Sequence, residues 1–297
     1  MGTSSTMAIE GLHWKTAKPQ DYEHIETFLK KHEPYLVAAA SRFIQYKNRT
    51  LGKGKIIPGR DQMLIGRDGG QQIQAFLFRS GQILHPFFLD FDAEGAKKLT
   101  RRFIKLSFSK RIYSLQGLER DVKIAEQALE QEGYHIQDQF DYYLMHLNEP
   151  VWLPPKPEGL TLIDNPTAEQ VYPLQAAYEQ EEVIPAHSTF HEAHCRQGLE
   201  RILAEELLVF AEYGGVSAAK ANTNARSYSC RQIGGVYVQP QFRGKGIGTY
   251  VVAKLVEQVQ KEGVAVGLFV KKQNLPAIRV YEKLGFTPIG SYRINYY

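Results

Sequence analysis

The C-terminal half of the chain alternates short apolar runs with stretches whose apolar residues recur every three to four positions. Leu160–Ile163 predicts a strand. Thr167 to about Glu182 predicts a helix, with Thr167 as N-cap and Gln170 at the capping-box position. His191 to about Glu206 predicts a second helix. Leu207–Glu212 predicts a strand turning at Tyr213-Gly214-Gly215, and Val216–Asn222 and Arg231–Val238 predict two more. A helix from the glycines at 244–248, a strand over Val264–Val270, a helix through Tyr281 and a strand over Ser291–Tyr297 complete the half.

The N-terminal half ends in the same way. Val122-Lys-Ile-Ala125 through Gly133-Tyr134 predicts an amphipathic helix, and Phe140–Leu147 a strand. Setting Gly133 on Gly285, an offset of 152 residues, also aligns Ala125 with Ala277, Glu130 with Glu282 and Tyr134 with Phe286. Each helix ends at a glycine, the usual C′ residue, so the pattern predicts a fold repeated in tandem. Between the halves, residues 149–159 hold four prolines and read as a stiff, extended connector. The halves differ where chemistry would lie. Tyr281 aligns with Leu129 and Asn274 with Val122. The apolar strand Ile83–Leu89 runs into Asp90-Phe91-Asp92-Ala93-Glu94-Gly95, whose carboxylates would satisfy a helix N-terminus and repel an anion there.

Composition adds bounds. The chain has 297 residues, 43% hydrophobic and 23% charged, ordinary globular material long enough for two domains. A net charge of +4 argues against a dedicated nucleic-acid binder. No apolar run is long enough to span a membrane, and Met1–Met7 has neither the charged nor the apolar region expected of a signal peptide. Cys195 and Cys230 make no framework, which points to a reducing, cytoplasmic setting; a disulfide between them is the less favoured alternative.

The strongest local chemistry lies at Gln241-Phe242-Arg243-Gly244-Lys245-Gly246-Ile247-Gly248, where a strand turns into a helix. A helix N-terminus offers unpaired N–H groups and a positive dipole end, and glycine lets a phosphate approach them. Arg243 and Lys245 add charge. The bland reading is a tight turn. The loop is neither G-x-x-x-x-G-K-[ST] nor G-x-G-x-x-G, so a different diphosphate-bearing cofactor is needed.

Gln241, Gly244 and Gly246, followed by Asn274 after a strand and then Ala277, Tyr281, Gly285 and Phe286 on a helix, resemble the GNAT (GCN5-related) N-acetyltransferase family over about residues 158–297. The resemblance implies an α/β (α+β) chain of two tandem GNAT-like domains, each a mixed, mostly antiparallel sheet flanked by helices. Residues 8–149 would be a degenerate domain without the cofactor loop, 150–157 the linker and 158–297 the catalytic domain. It implies acetyl-CoA as cofactor. The diphosphate would lie on the backbone of Arg243, Gly244, Lys245, Gly246, Ile247 and Gly248. The pantetheine would pair with Val236, Tyr237 and Val238 on a strand that splays from that of Val270. Asn274 would hold pantetheine or the start of its helix.

An amine would attack the thioester directly, with Tyr281 as general acid toward the departing thiolate; the alternative for Tyr281 is a core aromatic. The strand before the loop lacks the carboxylate the family often uses as base, so Glu181 and Glu182 are the next candidates; a solvated helix end is the competing reading. Lys220, Asn222 and Asn224 would contact acceptor or cofactor, or else form a solvent-facing strand. His187, His191 and His194 have helix-like spacing but no carboxylate pattern of a metal site, and no metal is expected. The acceptor would be a small-molecule or peptide amine, and the protein a monomer or homodimer. A non-catalytic acyl-CoA sensor or scaffold, and a transferase using both halves, are the competing functions.

Overall fold

The computed structural model describes residues 7–9, 12–51, 61–89, 92–106, 111–185 and 188–297. They divide into two compact units, one from residues 1–142 together with 290–297, the other from 143–289. Along the first half run β1 (Met7–Ile9), β2 (Leu12–Thr16), α1 (Tyr22–Lys31), α2 (Glu33–Leu51), β3 (Asp61–Arg67), β4 (Ile73–Ser80), β5 (Ile83–Phe88), α3 (Ala93–Leu106), β6 (Ser114–Leu118), α4 (Glu119–Gln131) and β7 (Asp138–Leu147). Along the second run β8 (Leu160–Ile163), α5 (Ala168–Tyr178), α6 (Glu192–Glu205), β9 (Leu208–Tyr213), β10 (Val216–Arg226), β11 (Cys230–Val238), α7 (Ile247–Lys261), β12 (Ala265–Lys271), α8 (Leu275–Lys283) and β13 (Thr287–Tyr296). After β1, the order of the first half recurs in the second, as the tandem pattern predicts. The repeat extends to detail. Gly133 and Gly285 both take positive φ, and the following Tyr134 and Phe286 N–H groups bond back to Leu129 O and Tyr281 O at 3.0 Å.

In the first unit β1 to β5 pair antiparallel in sequence order, and β5 pairs parallel with β6. The strand on the far side of β6 comes from the end of the chain: Tyr292–Tyr296 of β13 run antiparallel to Ser114–Leu118. In the second unit β8 to β11 are antiparallel, β11 is parallel to β12, and residues 143–147 of β7 belong with β12. The unit break therefore falls inside β7 rather than in the proline-rich segment expected as a linker, and residues 290–297 leave the half that encodes them. Burial explains the transfer. Tyr292 and Tyr297 are buried, and Tyr297 belongs to the core of Leu115, Val122, Ala125 and Leu129. Arg293 adds ion pairs to Asp141, Glu119 and Glu126.

Two local features bear on function. The helix expected to reach Glu182 ends at Tyr178, then widens into a π-turn over Glu179–Val183 closed by Ile184 N–H on Glu179 O at 2.8 Å. Pro185 follows and holds Ile184 in an extended conformation, so the helix cannot continue. At its other end Thr167 caps α5 in the expected capping box. In the first half, Asp92 accepts the Gly95 N–H at 2.8 Å, so a carboxylate occupies the start of α3. Asp90 and Phe91 of that acidic segment lie outside the described residues.

Arg293→Met should leave Asp141 without its cation, while Glu119 keeps Lys123 and Glu126 keeps the Asn295 amide, and should lower stability in urea unfolding by roughly 1 kcal/mol. An unchanged midpoint would show that the exchanged strand is held by its tyrosines alone.

Candidate functional site

The site begins with a glycine in a strand. β11 and β12 are in register from Cys230↔Ala265 to Ile233↔Leu268, where the pairing ends. At the same level the β10–β11 register slips: Asn222 faces Gly234, while Lys220 faces Tyr237. The extra residue makes a bulge at Gly235, whose φ is +59°. A Cβ there would lie 2.1 Å from Asn222 Oδ1 and 2.8 Å from Lys220 Nζ, so no other residue fits. Beyond the bulge β11 has left β12, and the gap is a cleft of about 720 Å³. Val236, Tyr237 and Val238 line one wall, and Asn274, Ala277 and Tyr281 the other.

The cleft reaches the first turn of α7. Gly246 is its N-cap, at φ 75°, and no side chain caps the helix. A Cβ on Gly244 or Gly246 would meet no atom within 4 Å, so both glycines face open space, whereas a Cβ on Gly248 would meet Val238 Cγ2 at 3.3 Å. Val251, Val252, Leu255, Val256 and Val259 anchor the helix in the core. Uncapped N–H groups at a positive helix end, approached over bare glycine backbone, fit a diphosphate. Arg243 stands beside them. Its Nη2 donates to both oxygens of Glu181 at 2.8 and 3.0 Å, and its Nε to Val238 O at 2.9 Å. Both partners are close to half exposed, so the pair contributes at most about 1 kcal/mol and an incoming anion can recruit the guanidinium. Gln241 and Lys245 do not line the cleft: Gln241 bonds to Gln239, and the Lys245 ammonium lies 4.7 Å from the centre of the Tyr213 ring.

On the facing wall Asn274 caps α8, accepting the Ala277 N–H at 3.2 Å. Its amide donates to Glu182 at 3.4 Å, and Lys271 donates to Glu182 at the backbone oxygen (2.7 Å) and carboxylate (3.3 Å). The π-turn is thus tied to β11 through Glu181 and to β12 through Glu182. Tyr237 adds its hydroxyl to Glu181 at 3.0 Å. Tyr281 lies one turn beyond Ala277, its ring against Phe286 in the core, and its hydroxyl makes no hydrogen bond among the described residues. Burial, then Tyr178 and Glu182, push its pKa up, so the phenol stays protonated through the neutral range.

Behind the bulge lies a polar cluster. Lys220 and Asn222 are fully buried, not part of a solvent face; of the three residues only Asn224 is exposed. Lys220 Nζ donates to Asn222 Oδ1 and Gly235 O, each at 2.8 Å, and the Gly235 N–H donates to the Tyr178 hydroxyl at 3.2 Å. Burial lowers the Lys220 pKa to about 7, with Glu179 working in the opposite direction. Tyr178 and Lys271 escape pattern reading because each looks like an ordinary helix-end or strand residue. The one signal was Gly234-Gly235 inside an apolar strand, which marks a bulge.

The remaining candidates stay apart. His191 stands at the N-cap position of α6 without a side-chain cap bond, beside His194, and His187 lies outside the described residues. Among the described residues no group of three His, Cys, Asp or Glu could hold a metal ion. Cys195 and Cys230 are free and buried. No helix of the described residues is long and apolar enough to cross a membrane.

The site is thus a strand-splay cleft that ends on an uncapped helix N-terminus. The acetyltransferase (GNAT) family model matches residues 168–286, and that region of the chain belongs to the family. An uncharacterized N-acetyltransferase of Methanocaldococcus jannaschii is 38% identical over 65 residues, which is 22% of this chain and 29% of that protein. The chain thus spans under a third of that relative's length. A Drosophila protein of solved structure superposes with a TM-score of 0.68 at 13% identity, over 96% of this chain and 98% of its own. A tandem GNAT protein from the clavulanic acid biosynthesis pathway superposes with a TM-score of 0.57 at 16% identity, over 96% and 97%. These likenesses establish the tandem fold.

The buried amine has a pH signature. Lys220 has a folded pKa of about 7 against 10.5 in the open chain. Between those values the unfolded state binds more protons, so this group's contribution to stability rises with pH. Below pH 7 both states are charged and the penalty is complete; above 10.5 it is gone. The stability of wild type minus that of Lys220→Met should therefore climb from pH 7 to 9, by on the order of 2 kcal/mol in urea titrations. A flat difference would mean that Lys220 is not desolvated.

Proposed function

We propose that this chain is an acetyl-CoA-dependent N-acetyltransferase whose second unit transfers an acetyl group to an amine. The observation that carries the reading is the cleft itself: an uncapped α7 N-terminus at one end, an unpartnered Tyr281 hydroxyl on a wall, and bulged β11 backbone between. In this reading Gly244, Gly246, Ile247 and Gly248 hold the diphosphate, with Arg243 released from Glu181, and Val236–Val238 hold the pantetheine. Bound acetyl-CoA supplies an activated thioester acyl group. Tyr281 Oη, kept protonated by burial, holds the proton needed by the departing thiolate. Glu182, or Glu181 once Arg243 has moved, accepts the proton of the acceptor amine directly or through water. Asn274 and Lys271 orient the Glu182 carboxylate. The first unit has Asp92 at the matching helix start, which favours one cofactor per chain. The relative's name, N-acetyltransferase, supports the reaction type. The acceptor is taken to be a small-molecule or peptide amine, and the setting cytoplasmic, in keeping with two buried free thiols.

A second reading, a CoA-binding sensor, draws support from the ion pairs that engage both Glu181 and Glu182. Tyr281→Phe separates the two. Transfer predicts CoA affinity within about twofold of wild type and kcat lowered by roughly 100-fold. CoA binding with no acetylated product from an amine panel would select the sensor. Glu182→Gln should lower kcat/KM at neutral pH, and wild-type rates would remove Glu182 from the mechanism. Equilibrium binding should give one CoA per chain; two would assign a cofactor to each unit.

A further inference from the structure

The first unit contains a cavity of about 550 Å³ between α1, the start of β4 and the end of β3. That volume suits a small molecule. Lys15, Lys31 and Arg67 line it against a single carboxylate, Asp21. Asp21 is already engaged: it accepts from Lys15 Nζ at 2.5 Å, the Lys18 N–H at 3.0 Å and Arg67 Nη2 at 3.3 Å. Burial alone would raise the Asp21 pKa, but these donors together hold it below the usual carboxylate range. The carboxylate is therefore charged at neutral pH, and the cavity still carries an excess of positive charge.

The donors are not all engaged. Arg67 is 6% exposed; its Nη1 donates to Gln71 O at 2.6 Å, and its Nη2 also reaches His24 Nδ1 at 3.3 Å, but its Nε is buried without a partner. His32 Nε2, on the same cavity, is buried without a partner as well. Lys31 makes no ion pair among the described residues. A buried guanidinium nitrogen with no acceptor is costly, and cationic cavities of this kind are completed by an anion. Phe28 and Ile73 supply an apolar floor, so the site takes an oxyanion attached to an organic body rather than a bare hydrated ion.

We propose that this cavity binds a small organic oxyanion, a carboxylate or phosphate monoester, with the Arg67 guanidinium and Lys31 as its donors. The site is independent of acetyl transfer and gives the first unit a ligand of its own.

Calorimetric titration of the full chain tests this with glycerol phosphate, succinate and inorganic phosphate, each at ionic strength fixed with sodium chloride. Wild type should bind glycerol phosphate or succinate saturably, and whichever binds names the oxyanion. Lys31→Gln, an exposed change that leaves the core intact, should weaken binding at least fivefold, and Arg67→Gln, checked for folding by circular dichroism, should abolish it. Arg243→Gln, in the second unit's cleft, should leave it unchanged. Absence of saturable binding by both organic probes at 10 mM, on the order of the weakest useful affinity, would overturn the proposal. So would binding of inorganic phosphate alone, binding unaffected by Lys31→Gln, or binding lost in Arg243→Gln. The readout is binding, so its failure and a failure of acetyl transfer are distinguishable.

Discussion

The second unit depends on the contact between Lys220, Asn222 and the backbone of Gly235. Two parallel strands that stay in register present no opening, because their ladder bonds fill the space between them. β11 leaves β12 after Ile233, one extra residue is accommodated at Gly235 against β10, and Lys220 Nζ holds the Gly235 carbonyl. A buried amine in this place is expensive, since its neutral form is favoured only by desolvation. The cost is offset because two acceptors and the Tyr178 ring, 4.9 Å away, satisfy it. The bulge then turns the backbone of Val236–Val238 toward the cleft instead of toward β12.

The two units show what that contact changes. They repeat one element order, and their fourth helices end with the same bonds at Gly133 and Gly285. In the first unit the strand equivalent to β11 carries His85 and Pro86 where the second has Gly234 and Gly235, and the register of β4 with β5 runs unbroken from Ala75↔Phe88 to Ser80↔Ile83. No bulge forms there. At the following helix a carboxylate, Asp92, stands where the second unit has bare glycine. The same scaffold thus leaves the helix start uncapped in one copy and caps it with a carboxylate in the other.

Much of this was legible in the sequence. The order of elements, the capping box at Thr167 and the glycine at each helix end follow from local rules, because periodicity and caps act over a few residues. Gly244 and Gly246 were readable because positive φ at a helix start leaves almost no alternative residue. Strand exchange was not readable. Whether β13 closes its own half or the other depends on burial of Tyr292 and Tyr297 and on Arg293 finding three carboxylates far away in sequence. The π-turn was hidden for a related reason: Glu179–Val183 has ordinary helical composition, and only Pro185 hints that the helix must stop.

The energetic grading of contacts around the cleft suggests which parts yield to a ligand. Glu181 and Arg243 are close to half exposed, so water already screens their attraction, and exchanging Glu181 for a diphosphate costs little. Glu182 and Lys271 are more buried, and the Lys271 bond to the Glu182 backbone fixes the turn itself. Lys220 and Asn222 are wholly buried and held on every side. Rigidity therefore increases from the mouth toward the bulge. A site built this way can rearrange where the ligand's charge arrives while keeping the strand geometry that positions Tyr281, since the helix carrying Tyr281 is anchored through the Asn274 cap and the Phe286 ring rather than through Arg243.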